Sequence, residues 1–213
     1  GMGLAGSVGT WAGMNEQSLA VTLASSPSVD VELVGTPLPI LLRVSLETGG
    51  DLDSLVGSLV SAKRPYGGNV IVADGKAPGA VAIELAAHQC ALFEGTGQGE
   101  QLARTNHFVD SELSVTQGVA IESRVRMASQ ERLDRVNTWL QRNHGWIGVD
   151  KALALLADVG SWAVDDPERT RTMQSVLFVP GDASLWLAQS VDGGVGTFIQ
   201  LEFDELVGGG ESR

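Results

Sequence analysis

The chain has 213 residues, 43% of them hydrophobic, enough to bury a core of its own. Its 26 acidic against 14 basic residues give a net charge of -12, which repels a phosphate backbone and argues against nucleic acid as a partner. No apolar run reaches the ~18 residues that span a bilayer, and Cys90 is the only cysteine, so neither a membrane-spanning helix nor an intrachain disulfide is expected.

The opening GMGLAGSVGT lacks the basic flank of a secretory signal, which predicts a cytoplasmic protein, and Gly1 reads as a scar before a start at Met2. Two strands are predicted around Asn15-Glu16, the second over the β-prone stretch Leu19 to Leu23. After a polar loop from Ser25 to Pro37, apolar residues recur at helical spacing from Pro39 to Glu47, and the helix ends at Gly49-Gly50. Asp51 is placed to cap a second helix whose stripe is Leu52, Leu55, Val56, Leu59 and Val60. Beyond Pro65 the pattern becomes a meander of strands at Asn69 to Ala73, Ala80 to Leu85 and Ala91 to Glu94. A long polar helix follows at Ile121 to Arg142 and a shorter one at Val149 to Ala157. Strands return at Met173 to Val179, Ser184 to Gln189 and Thr197 to Glu202. The turns between consecutive strands are too short for crossover helices, so an α+β layered fold is expected. It is read as one domain over residues 2–207, with 208–213 as a flexible Gly-rich tail.

P-loop, Rossmann, nucleophile-elbow and paired-histidine metal motifs are all absent, so no cofactor and no metal are implied. The five tryptophans are scattered, as packing residues are. What stands out is an ordered series: Gly13-Met14-Asn15-Glu16, Leu46-Glu47, Gly67-Gly68-Asn69, Ala82-Ile83-Glu84 and Thr105-Asn106-His107-Phe108. In order and spacing this series resembles the N-terminal-nucleophile (Ntn) hydrolases of the isopenicillin N (6-aminopenicillanic acid) acyltransferase type. Choloylglycine hydrolases and acid ceramidase are more distant relatives. The resemblance runs over most of the chain, with looser signals at Ser123-Arg124 and Gln174 to Phe178. Ser18 departs from it, standing where the family usually has Gly.

The resemblance implies a four-layer αββα sandwich of two antiparallel sheets covered by helices. It implies an amide hydrolase or acyltransferase acting on an N-acylated small molecule, through an N-terminal cysteine whose own α-amine is the base. Cys90 lies inside a predicted strand and does not fit that role, so the nucleophile is expected upstream of Met2. A start assigned too late, a separate partner chain and a descendant that kept only a binding shape would each account for this. By the same resemblance Asn15 and Asn106 are candidate oxyanion donors, although Asn15 also suits a plain turn. Arg171, or Arg169 beside it, is the candidate substrate-site cation, with a solvated surface charge as the alternative. His107 is expected to be structural, as is Glu84 with a partner for its buried carboxylate. The alternative to an enzyme is a non-catalytic ligand-binding or self-associating protein, a homodimer through an exposed sheet edge.

Overall fold

The computed structural model describes residues 1–3, 6–95, 101–117, 123–161, 172–191 and 194–207. They fall into two compact units, Gly1–Arg142 and Asn143–Arg213.

The first unit is built on an antiparallel sheet in the order β1 (Ala12–Met14), β2 (Leu19–Ser25), β3 (Gly68–Asp74), β4 (Gly79–Leu85), β5 (Cys90–Gly95). The helical hairpin α1 (Leu38–Thr48) and α2 (Leu52–Ser61) is inserted between β2 and β3. Side chains alternate across the strands, so each sheet face has its own composition. Leu19 and Val21 of β2, Val70 and Val72 of β3, and Val81, Ile83 and Leu85 of β4 form one apolar cluster with Leu38, Leu41, Leu42, Leu46, Leu55 and Leu59 of the two helices. Burying each such side chain is worth about 1.5–3 kcal/mol, and this cluster is the core of the unit. The opposite face carries small residues, Ala20, Ala24 and Ala82, together with two buried polar ones, Asn69 and Glu84, which sit directly across from each other.

Local chemistry sets the element ends as the sequence predicts. Asp51 accepts the Ser54 amide at 2.7 Å while the Ser54 hydroxyl accepts the Asp51 amide at 3.2 Å, a reciprocal cap on α2. Asp74 turns the chain into β4 by accepting the amides of Lys76 and Ala77. Ser18 has φ 59°, in the left-handed region where glycine is at no disadvantage. The serine therefore carries a backbone cost of about 1 kcal/mol that a glycine would not. One feature has no sequence signal. The buried Arg64 donates to Leu59, Val60 and Ala62 carbonyls at the end of α2 and to Ala86 and Gln89 carbonyls of the β4–β5 turn. On the rim of the unit, His88 of that turn holds the preceding loop through Asp30, with Nδ1 2.6 Å from Oδ1.

Past β5, a short helix α3 (Ser111–Thr116), capped by Asp110, precedes the long α4 (Ser123–Arg142). Positions 121 and 122 of the predicted helix lie outside the described residues.

In the second unit, α5 (Val149–Ser161) lies against β6 (Gln174–Val179), which pairs antiparallel with β7 (Ser184–Val191). The far edge of β7 is shared by the two-residue β8 (Gly194–Val195) and by β9 (Ile199–Glu202), and α6 (Phe203–Val207) follows. β9 is the counterpart of the strand expected from Thr197 and begins two residues later, while the two-residue β8 lies before that range, in a stretch punctuated by Gly194 and Gly196. The predicted tail, 208–213, lies outside the described residues.

Gly67 tests the close approach at the start of β3, where an added Cβ would sit 1.8 Å from the Leu85 carbonyl oxygen. Gly67→Ala should cost about 3 kcal/mol in chemical denaturation, the upper end of overpacking. Gly57→Ala, exposed on α2 with nothing within 4 Å of the new methyl, should instead stabilise by about 0.5–1 kcal/mol.

Candidate functional site

The segment Thr105 to Asp110 has no strand partner among the described residues, yet its backbone is paired almost group by group with side chains. The Asn69 amide donates to the carbonyls of Thr105 and His107, both at 2.7 Å. The Asn106 amide donates to Ser129 Oγ at 2.8 Å, and the Phe108 amide to Gln117 Oε1 at 2.6 Å. The Val109 and Asp110 amides donate to the Glu84 carboxylate at 2.9 Å. Each of these bonds satisfies a backbone group that would otherwise be desolvated without a partner. Phe108 supplies the apolar contact, packing with Leu113 and Ala86 and against Ala91, which lies opposite Glu84 on β5.

Glu84 is fully buried and Arg104 Nε lies 2.7 Å from its Oε1. The Nε–H is not aimed along a hydrogen-bonding direction, so this contact is a close ion pair, with the guanidinium also 4.1 Å over the Phe93 ring. Glu84 therefore has the structural partner expected of it.

His107 is buried beside Ser129 Oγ, 2.8 Å from Nδ1, and Thr105 Oγ1, 3.1 Å away. Burial pushes its pKa below the ordinary value, with a hydrogen bond to Gln130 opposing and the charge of Arg126 adding to the fall. A neutral ring in this knot is a structural group.

Asn106 is half-buried, and its side chain is held from both ends. Arg132 Nη2 donates to its Oδ1 at 2.9 Å, and its Nδ2 donates to the Ser25 carbonyl at 3.0 Å. The second Nδ2 hydrogen meets no acceptor among the described residues. Ser26, next along the chain, is buried with its Oγ unpartnered among the described residues.

Asn15 is placed differently. Its two amide hydrogens go to the carbonyls of Leu46 and Gly49, and its Oδ1 accepts the amides of Gln17 and Leu19. The side chain thus clasps the β1–β2 turn to the end of α1 and has no hydrogen left to aim at a ligand. It acts at the Leu19 end of β2, whereas Asn106 acts at Ser25, and six residue-to-residue steps along the strand separate these ends by about 20 Å. The two asparagines are not brought to one site. Arg169 and Arg171 lie outside the described residues. Cys90 is exposed at the start of β5.

Residues 1–190 match the family described as acyl-coenzyme A:6-aminopenicillanic acid acyl-transferase. The chain belongs to that family. Among curated proteins no match is found. Among solved structures, a mutant of conjugated bile acid hydrolase from Clostridium perfringens matches with a TM-score of 0.61 at 10% identity, covering 96% of this chain and 76% of that one. The likeness shows the fold: two antiparallel sheets with helices, of the choloylglycine-hydrolase Ntn type that the motif series implies. Among the described residues no helix is long and apolar enough to cross a membrane, and no cluster of three metal-ligating side chains occurs.

Asn69, Glu84 and Thr105 to Phe108 belong to the motif series that the sequence displays. Ser129, Arg132 and Gln117, which hold the same segment, do not. Ser129 had one signal, a small polar residue on a helix face shared with the buried Leu133 four positions on. Arg132 had none, since a charged residue on a polar helix looks like any solvated one.

Removing one partner of the buried pair leaves the other uncompensated, so Glu84→Gln should cost about 3 kcal/mol in denaturant unfolding. The Arg104→Met, Glu84→Gln double variant should lose less than the sum of the single variants, and additive losses would show that the pair is not coupled. The two partnered histidines should titrate on opposite sides of the free value of about 6.5 when followed by NMR. His107 lies below it, so the stability from its neutral burial is present above the unfolded pKa and is lost as pH falls toward the folded one. His88 lies above it, because Asp30 hydrogen-bonds and charge-pairs with the ring. Its contribution is present below the unfolded pKa and is lost as pH rises through the folded one.

Proposed function

We propose that the chain is part of an Ntn-type amide hydrolase or acyltransferase acting on an N-acylated small molecule, with Asn106 as the side-chain donor to the oxyanion. The observation that carries this assignment is the Asn106 amide, held by Arg132 at the oxygen and Ser25 at one hydrogen, with its other hydrogen meeting no acceptor among the described residues. A donor fixed before the charge develops needs no reorganisation during reaction, which is where such groups gain their effect. Membership of the acyl-transferase family and the bile-acid-hydrolase fold support the same class of chemistry.

In the proposed reaction a cysteine thiolate from outside residues 1–213 attacks the amide carbonyl carbon. The C–S bond forms while the carbonyl π pair moves onto oxygen, where the Asn106 Nδ2–H meets it. Collapse of this intermediate breaks the C–N bond, and the amine leaves with a proton from the cysteine's own α-ammonium. Water or a second amine then takes the acyl group from sulfur. Cys90 has no part in these steps. Arg171, or Arg169, is proposed to face a charged group of the substrate, while Asn15 is assigned to the hairpin clasp.

The test uses the protein isolated from its own cells. Its N-terminal residue should be a processed cysteine, on this chain or on a tightly associated one, and a polypeptide beginning at Met2 without a partner chain would overturn the assignment. In that protein, Asn106→Ala should lower kcat on an N-acyl p-nitroanilide by about 10²–10³-fold with little change in KM. Cys90→Ser should leave the rate unchanged.

A further inference from the structure

We infer that Arg132 is the positioning residue that fixes which way the Asn106 amide faces, so that helix α4 sets the orientation of the donor. This inference rests on the proposed oxyanion role for its functional meaning, but its geometric content stands separately.

An asparagine amide is nearly symmetric in shape, and a half-turn about its last torsion exchanges oxygen and nitrogen. Only its partners decide between the two. Here they are opposite in kind: a guanidinium is a donor with no acceptor, and a backbone carbonyl is an acceptor with no donor. Arg132 Nη2 is 2.9 Å from Oδ1 and the Ser25 carbonyl is 3.0 Å from Nδ2. A flipped amide would set nitrogen against guanidinium and oxygen against carbonyl, losing both bonds and adding two repulsions.

The same helix also fixes the backbone beneath that side chain. Ser129 and Arg132 are three residues apart, on adjacent positions of one face of α4. Ser129 takes the Asn106 amide hydrogen, and Asn69 grips the carbonyls on either side of the residue. The backbone is therefore settled without Arg132, and what remains for the arginine is the side-chain torsion. The guanidinium has a second effect. A permanent cation on Oδ1 draws charge from the amide and makes its N–H a stronger donor. Arg132 is itself partly desolvated, enough to push its pKa down, so water screens this effect less than it would at an exposed site.

The experiment follows the Asn106 side-chain amide signals in the 15N-labelled full chain, assigned by their loss in Asn106→Asp. Arg132→Met should shift both Nδ2 proton signals and raise the amplitude of the group's fast motion, while the backbone amides of His107 and Phe108 keep their positions. Arg132→Lys, which retains the charge without the planar fork, should fall between wild type and Met. If Arg132→Met does not fold, Arg132→Gln and Arg132→Lys carry the comparison. Unchanged Asn106 side-chain signals in every variant overturn the proposal, whatever the activity. In the active protein, Arg132→Met should lower kcat about tenfold with KM unchanged, less than removal of the donor does. Altered signals with an unchanged kcat would uphold the positioning role of Arg132 and overturn instead the oxyanion role of Asn106.

Discussion

The local structure depends on two buried polar side chains facing each other across β3 and β4. Asn69 and Glu84 are taken out of water, where each polar group left without a partner is costly. The two Asn69 amide hydrogens and the Glu84 carboxylate, which also pairs with Arg104, go to the backbone of one segment, Thr105 to Asp110, while Asn69 Oδ1 stays buried without a partner among the described residues. The sheet therefore holds this stretch of chain in register without extending its ladder. A strand in the same place would have turned alternate side chains away from each other. A chain held by side chains can instead present Asn106 outward and tuck His107 and Phe108 inward at consecutive positions.

The two faces of this sheet obey different rules. Toward α1 and α2 the contacts are aliphatic and many, so their worth lies in total area and shape, and single residues there are exchangeable for others of similar volume. On the other face alanines keep the surface low and two polar groups supply specific bonds. Substitution there changes which groups are paired as well as how much area is buried. Of the motif series, Asn69, Ala82 and Glu84 lie on this face. The same distinction separates the two asparagines. The Asn15 side chain is bonded to four backbone groups and is spent; the Asn106 side chain has two partners among the described residues, Arg132 and the Ser25 carbonyl, and is not.

Much of the fold was legible in the sequence because it rests on short-range signals. The alternation in β2 to β4, the apolar spacing of α1 and α2, the Asp51 cap and the Asp74 turn each depend on residues within a few positions of one another. The helix α3 was not legible, since six residues around one buried leucine give no period to detect. The two-residue β8 is illegible for a related reason, being too brief to alternate. At the candidate site, the motif carries Asn106 but not its neighbours. Arg132 reaches it across 26 residues and Ser25 across 81, distances over which a single sequence records no pairing. Asn15 shows the converse: its motif was recognisable, and its chemistry was fixed by Leu46 and Gly49 carbonyls that no motif contains.

The bonds that hold Thr105 to Asp110 span 36 residues from Asn69 and 26 from Glu84, so they close large loops. Neither can form until β3 and β4 are paired, because only the pairing brings the two side chains side by side. The candidate donor is thus assembled after the sheet it rests on, as a late and separable layer of the folding reaction. A chain whose first sheet is misregistered by one residue would turn both side chains to the helix face, and it would fail to build the site before it failed to collapse.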